Sequence, residues 1–281
     1  MIEHLNAQPI KPARVVVIGA AGFVGGAVAA RMERDGVAVV RVGRKEVDLL
    51  SPEAADKLSR FIRQGDAVVA AAAKAPCKDS AMLVDNMVMA RAMVRALAAA
   101  PVAHLINISS DAVYADSAQP LTEASCAAPD SLHGAMHLAR EVMFRAELKA
   151  PLAVLRPSLL YGAADPHNGY GPNRFRRLAA EGKEIVLFGE GEERRDHVYI
   201  GDVAELVARV LYRRSTGVLN IATGTVHSFR EIAEKFSSKV KGSPRSGPMP
   251  HNGYRPFDPS GVRKAFPDFR FTPLDEGLKH G

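Results

Sequence analysis

The chain is poor in cysteine: its 281 residues include two, Cys77 and Cys126, in no recognisable pattern. That excludes a disulfide framework and fits a reducing compartment. There is no run of about 18 apolar residues, so no membrane span is expected. The apolar stretch "AVVAAAA" (67–73) is short and reads as a buried strand with the loop after it. The opening "MIEHLNAQPIKPA" has an early acidic residue and no apolar h-region, so it does not read as a signal peptide and a cytoplasmic location is expected. A concentrated basic patch is missing too. The net charge is +6, from 37 Lys+Arg against 31 Asp+Glu, and the densest cluster, Arg174, Arg176 and Arg177, reads as a solvated helix face. No nucleic-acid partner is expected, whereas a modest positive excess suits a small anionic ligand such as a nucleotide. Internal repeats and low-complexity segments are absent.

What is present is an ordinary globular balance, 47% hydrophobic and 24% charged, over a length that suits one large α/β domain with a smaller lobe. "ARVVVI" (13–18) is β-branched without alternation, the pattern of a strand buried on both faces of a parallel sheet. Further strands are read at 37–42, 66–71, 103–109 and 152–157. Helices are read after the glycine turn to Gly36, over 52–63, 85–100 and 131–147. This alternation predicts a doubly wound parallel sheet. The expected division is a dinucleotide-binding domain over 1–160, also receiving a strand from about 195–225, interleaved with a smaller substrate-binding lobe over 161–281. The turn-rich segment 237–260 reads as a surface loop.

Gly19, Gly22 and Gly25 form G-x-x-G-x-x-G between a buried strand and a helix. In that context the glycines permit a tight turn and close approach of the backbone to a pyrophosphate, and the helix N-terminus offers unpaired N–H groups. The second strand ends in "VVRVGRKEVDL", with Arg41, Arg44 and Lys45 and no acid at its tip. A guanidinium there can pair with a 2′-phosphate, so NADP(H) is favoured over NAD(H). Asp48 and Leu49 follow, where the adenine ring is expected.

These features, with six ordered segments, make the chain resemble the extended short-chain dehydrogenases/reductases of the NAD-dependent epimerase/dehydratase family, from about residue 13 to 278. The segments are "GAAGFVG", "DAVVAAAAKAP", "ISSDAVYADS", "LRPSLLYG", "GEGEERRDHVYIGDVAE" and "FTPLDEGL". The resemblance is closest to the nucleotide-sugar 4-reductase branch. It implies a Rossmann domain, a nucleotide-sugar substrate and a homodimer through the helices at 85–100 and 131–147, although apolar stripes there also fit a core. It places Gly19, Gly22, Phe23, Val24, Gly25, Arg44, Asp48, Leu49, Ala71, Ala72, Ala73, Asn86 and His137 at the cofactor, with Asn86 beginning its helix. It places Asp111, Asn173, Arg195 and Arg255 at the substrate, the two arginines on a diphosphate. The alternative reading for each arginine is an ion pair, for Arg195 with Asp196 or Asp202.

The family's chemistry rests on Ser/Thr with Tyr-x-x-x-Lys. Ser110 matches the hydroxyl, and Glu141 stands where a glutamate is frequent. The Tyr and Lys positions hold His133 and His137, and none of the six tyrosines has a lysine four residues later. Both imidazoles lie on one helix face. Three readings follow. Histidine titrates near neutrality and can carry the proton transfer, with Ser110, His133 and His137 as the catalytic set. The fold can instead have kept its ligands and lost hydride transfer, as a regulatory cofactor-binding protein. The pair can ligate a metal, but the intervening Gly134, Ala135 and Met136 provide no helical glutamate, so none is expected. The intact substrate motifs favour an enzyme. Asp111–Ala112 is not the Asp-Glu pair of a dehydratase, and no cysteine stands at 111 for 3,5-epimerisation. Reduction at C4 is therefore expected, with 4-epimerisation as the alternative.

Overall fold

Val15 to Ile18 are all apolar and β-branched, so no face of this stretch can be offered to water, and the structure buries all four side chains almost completely. The structure, a computed structural model, describes residues 2–165, 169–244 and 253–280. Its strands are β1 (Glu3–His4), β2 (Arg14–Ile18), β3 (Ala38–Val42), β4 (Ala67–Ala70), β5 (His104–Ile108), β6 (Leu152–Pro157), β7 (Leu159–Tyr161), β8 (Ile185–Phe188), β9 (Arg194–Tyr199), β10 (Ser215–Ile221), β11 (Val226–Ser228), β12 (Val240–Ser243) and β13 (Tyr254–Arg255). Its α-helices are α1 (Phe23–Arg34), α2 (Ala54–Ser59), α3 (Ser80–Ala98), α4 (Leu132–Glu147), α5 (Pro172–Ala180), α6 (Ile200–Tyr212), α7 (Phe229–Glu234), α8 (Ser260–Ala265) and α9 (Leu274–Gly277).

The main sheet has the order β3-β2-β4-β5-β6-β10-β1. Every pair is parallel except the short edge strand β1, which runs antiparallel to β10. Alternating residues of β2 feed two separate cores. Val15 and Val17 join Val28 and Met32 of α1 and Leu206 and Val207 of α6. Val16 and Ile18 join Leu58 of α2, Met93 of α3 and Phe144 of α4. This is the doubly wound sheet expected from the alternation. The chain leaves β2 for β3 on one side and then crosses to β4 on the other, so a topological switch point lies between the C-terminal ends of β2 and β4.

A smaller aromatic cluster, Phe175, Ile185, Leu187, Phe229 and Ile232, joins α5, α7 and β8. Beside it β9 pairs with β7, β11 and β13.

Three boundaries differ from the sequence reading. The helix read over 52–63 is shorter, Ala54–Ser59. The second long helix begins at Ser80 rather than 85, because the Asp79 carboxylate caps it by accepting from the Met82 N–H at 2.8 Å. Asn86 therefore lies within the helix and does not begin it. The stretch 237–260, read as a surface loop, contributes β12, parallel to β8, and β13, parallel to β9. Its residues 245–252 lie outside the described residues. Among the described residues no helix is long and apolar enough to cross a membrane.

Candidate active site

The glycine turn sits at the switch point. Gly19 has a φ of +92°, and a Cβ there would lie 2.6 Å from the Ala72 nitrogen and 2.9 Å from the Ala71 carbonyl carbon. Backbone thus closes on backbone, and an L side chain is excluded on both counts. A Cβ at Gly25 would lie 2.2 Å from the Gly19 oxygen, which is how α1 seats against the turn. α1 opens at Gly22 with no side-chain cap, so the first-turn N–H groups of Phe23, Val24 and Gly25 have no intrahelical acceptor and face the notch as anion donors. These features fit the pyrophosphate of a dinucleotide.

The opposite wall is Ala71 to Ala73. Asn86, fully buried, fixes the chain just beyond it: its Oδ1 accepts from the Lys74 N–H at 2.9 Å, and its Nδ2 donates to the carbonyls of Lys74 and Met82. Asn86 shapes the loop through its own hydrogen bonds. Arg140, absent from the sequence-derived site, lies beneath the same wall. Its guanidinium is completely buried and donates to the carbonyls of Ala72 and Ala70, each at 2.9 Å, and to Asn107 Oδ1 at 2.7 Å.

At the tip of β3 the cations divide. Arg41 is held by Glu33 through two 2.8 Å hydrogen bonds. Arg44 is 82% exposed and only loosely paired with Asp48, at 3.7 Å. The tip also carries an acid that the linear reading lacked: Glu46 folds back and accepts from the Gly43 N–H at 2.8 Å. Asp48 Oδ1 accepts from the Leu50 N–H, and the Leu49 side chain is buried in the core.

The corner that holds the candidate catalytic residues is assembled by α4 and the short 3-10 turn Asp111–Val113. Ser131 caps α4 by accepting from the Gly134 N–H at 3.1 Å. Gly134 is the hinge of this corner, since a Cβ there would fall 1.9 Å from the Ala112 carbonyl oxygen. Only a glycine lets α4 press against the turn and bring His133 beside Asp111. Ser110 Oγ accepts from the Ala112 N–H at 3.1 Å and donates to Asp111 Oδ1 at 3.2 Å. The two imidazoles stand edge to face, with centroids 4.8 Å apart.

Their surroundings fix their states. His133 Nδ1 accepts from the Cys77 N–H at 3.3 Å, so the neutral ring carries its proton on Nε2. Burial holds His133 below the usual histidine range, against a raising effect of Asp111. His137 is 6% exposed, and burial, His133 and Arg140 hold it neutral, well below that range. Among the described residues its Nδ1 has no hydrogen-bond partner. Behind the corner, Glu141 accepts from Ser109 Oγ and takes two hydrogen bonds from Arg156, which also donates to Tyr114 Oη at 2.7 Å. This buried network ties the 109–114 segment to α4. Among the described residues no group of three His, Cys, Asp or Glu side chains is placed to hold a metal ion.

Arg195 and Arg255, the residues expected at a substrate diphosphate, converge, and a carboxylate lies between them. Asp116 is 2.8 Å from Arg255 and 3.8 Å from Arg195, and all three are almost fully buried. Arg255 also reaches Asp111 at 3.5 Å, and Arg195 reaches Glu193 at 2.9 Å. The Arg195 partners are thus Asp116 and Glu193 rather than Asp196 or Asp202; Asp196 instead takes hydrogen bonds from Ser158, Thr223 and Gly224. Asn173 stands apart from this group. It accepts from the Gly162 N–H and donates to Asp165, each at 2.9 Å, pinning the turn after β7.

Proteins built this way are extended short-chain dehydrogenases/reductases. Residues 15–222 match the NAD dependent epimerase/dehydratase family, and the chain belongs to that family. It is 33% identical over 138 residues to dTDP-L-rhamnose 4-epimerase of Burkholderia thailandensis, which covers 44% of this chain and 38% of that protein. It is 28% identical to UDP-glucose 4-epimerase of Mycolicibacterium smegmatis over 263 residues, 81% of this chain and 82% of that one. In fold it is similar to a GDP-L-fucose synthetase from Naegleria fowleri bound to NADP, with a TM-score of 0.84, 18% identity and coverage of 99% and 95%. It is likewise similar to Thermus thermophilus UDP-glucose 4-epimerase in complex with NAD, with a TM-score of 0.81, 24% identity and coverage of 95% and 97%.

Proposed function

We propose that this chain is an NADP(H)-dependent reductase acting at C4 of a nucleotide sugar, with His133 in place of the family's tyrosine. The observation that carries the reading is the Gly134 contact. It seats α4 against the Ser110–Asp111 turn and keeps an acid/base side chain at the catalytic corner although tyrosine and lysine are both gone. When bound, the dinucleotide supplies the ring that exchanges a hydride with the sugar. The Gly19 notch, the α1 N-terminus and Ala71–Ala73 hold it, and Arg44 takes the 2′-phosphate.

The residues of the chain do the rest. Ser110 Oγ–H, turning from Asp111 Oδ1, and His133 Nε2–H both donate to the sugar oxygen and orient it. A neutral imidazole is an effective electrophile in such a role. The proton that completes the alcohol comes from the imidazolium form of His133. Burial and the Cys77 amide both disfavour that form, so reduction accelerates as pH falls. His137, neutral, offers hydrogen bonds and no fixed charge. A diphosphate meets Arg195 and Arg255 by displacing Asp116. A homodimer through α3 and α4 fits the exposed Val84, Leu132 and Val142.

A second reading, cofactor binding without turnover, is favoured by the His133–Cys77 contact, which engages the one basic nitrogen of the neutral ring. Mixing the protein with NADPH and a panel of 4-keto nucleotide sugars separates the two. Loss of NADPH absorbance supports the reductase, and tight NADPH binding with no turnover on any member supports the binding protein.

A further inference from the structure

A buried cation one peptide layer from the cofactor notch is left unexplained by packing. Arg140 is fully enclosed on α4, one turn after His137. Three neutral acceptors take hydrogen bonds from its two terminal nitrogens, the carbonyls of Ala70 and Ala72 and the Asn107 side chain, while among the described residues its buried Nε finds no partner. Among the described residues no carboxylate hydrogen-bonds to it. Its neighbour Glu141 is engaged by Arg156 and Ser109. Burying a charge this way is costly, and an apolar side chain of similar size would serve a core at least as well. The acceptors point to a role. Ala70 and Ala72 flank Ala71, and the Ala71–Ala72 peptide is the one Gly19 touches. The guanidinium therefore grips the back of the wall whose front faces the notch. The helix that carries it also carries a neutral imidazole at the position where the family's lysine would place a permanent charge.

We propose that Arg140 is a positioning residue that takes over the missing lysine's electrostatic part, fixing the Ala70–Ala72 wall and supplying from behind it the standing positive charge that holds an anionic pyridine dinucleotide. This rests on the proposed cofactor reading. Burial lowers the Arg140 guanidinium to about 10, so it stays protonated throughout the neutral range. Arginine suits the place because its planar fork can meet three acceptors at once, which an ammonium at 137 could not do from the front.

The test is calorimetry with NADPH on the whole chain and on Arg140→Met, Arg140→Lys and Arg140→Met with His137→Lys, each checked by thermal melting. Arg140→Met is expected to weaken NADPH by about tenfold or more, the effect of one fixed charge at short range in a partly desolvated site. The double variant is expected to recover to within about threefold of the parent, because the charge then comes from the front of the site. A merely structural role would not give that rescue. Should Arg140→Met not fold, Arg140→Lys carries the test. It keeps the charge and loses the fork, so NADPH affinity within about threefold of the parent is expected alongside a lowered Tm. An Arg140→Met that binds NADPH like the parent, a double variant no better than the single, or an Arg140→Lys that has lost binding overturns the proposal. If the parent chain itself binds no NADPH, the cofactor reading falls and this inference with it; a binding parent with an indifferent Arg140→Met sinks this inference alone.

Discussion

Gly134→Ala tests the catalytic corner with one methyl group. The new carbon would sit 1.9 Å from the Ala112 oxygen and 2.7 Å from the Pro129 side chain. Comfortable carbon contacts are ~3.5 Å, so the start of α4 and the Asp111–Val113 turn must part by roughly 1.6 Å. Overpacking of this kind costs about 1–3 kcal/mol. In a chain of this size that lowers Tm by roughly 2–12 °C, at about 2–4 °C per kcal/mol. The effect on chemistry is larger. His133 rides on the displaced turn of α4 and Ser110 on the other side of the gap, and a misplacement of about 1 Å costs on the order of a hundredfold in rate. The glycine notch and Ala71–Ala73 are elsewhere, and Arg140 lies further along α4 and is tied to that wall, so NADPH affinity should change little. Thermal melting, NADPH calorimetry and NADPH consumption separate these quantities. A variant that melts lower, binds NADPH normally and turns over on the order of a hundredfold more slowly fits. One that retains full turnover refutes the idea that contact between α4 and the turn builds the site.

Other consequences are open to measurement. If the imidazolium of His133 is the acid, as proposed, reduction should speed up as pH falls from 8 to 6, because its fraction grows up to about tenfold per pH unit above its lowered pKa; a flat profile assigns the proton to another group. Stability should move the other way. His104 and His197 are buried and held at about 4 and about 3, below their unfolded values, so the unfolded chain takes up more protons in acid and folding weakens below the ordinary histidine range. Between pH 7.5 and 5 each should cost roughly 2 kcal/mol, seen as a falling Tm. Arg44→Ala should weaken NADPH by about 1–2 kcal/mol, on the order of tenfold, while leaving NADH unchanged; equal losses would remove Arg44 from the 2′-phosphate. Asp116→Asn should lower Tm without ligand, since two buried guanidiniums lose a carboxylate, yet bind a nucleoside diphosphate more tightly, on the order of fivefold or more. Weaker diphosphate binding would mean that Asp116 assists the ligand rather than competing with it.

The layers of the fold were legible because their signals are local. Four β-branched residues before a glycine turn can only be a buried strand, and the switch point follows from strands alternating with helices. The histidine pair was equally visible, being a matter of spacing four. What the sequence hid depends on contacts across long separations. Glu46 reaches the β3 tip by folding back, so a tip read as free of acid has one. Asp116 meets Arg255 from 139 residues away, and nothing in "VYADS" announces that it will sit between the two arginines. Arg140 looks like any charged helix residue until the strand-end carbonyls 68 and 70 residues earlier close over it. Gly134 stands in the sequence only as a residue between the two histidines, and the Ala112 carbonyl pressed against it explains it. β12 and β13 were missed in the turn-rich 237–260 because four-residue and two-residue strands hold their register through partners, not through periodicity.

The central claim is that the backbone around Gly19 grips a pyridine dinucleotide. Calorimetry of the purified chain with NADPH, beside Gly19→Ala under the same conditions, tests it most directly. The account predicts saturable heat for the parent, and loss of it in the variant, whose added carbon meets Ala72 at 2.6 Å. No heat for the parent with any of NADPH, NADP+, NADH or NAD+, or undiminished binding by Gly19→Ala, would contradict it.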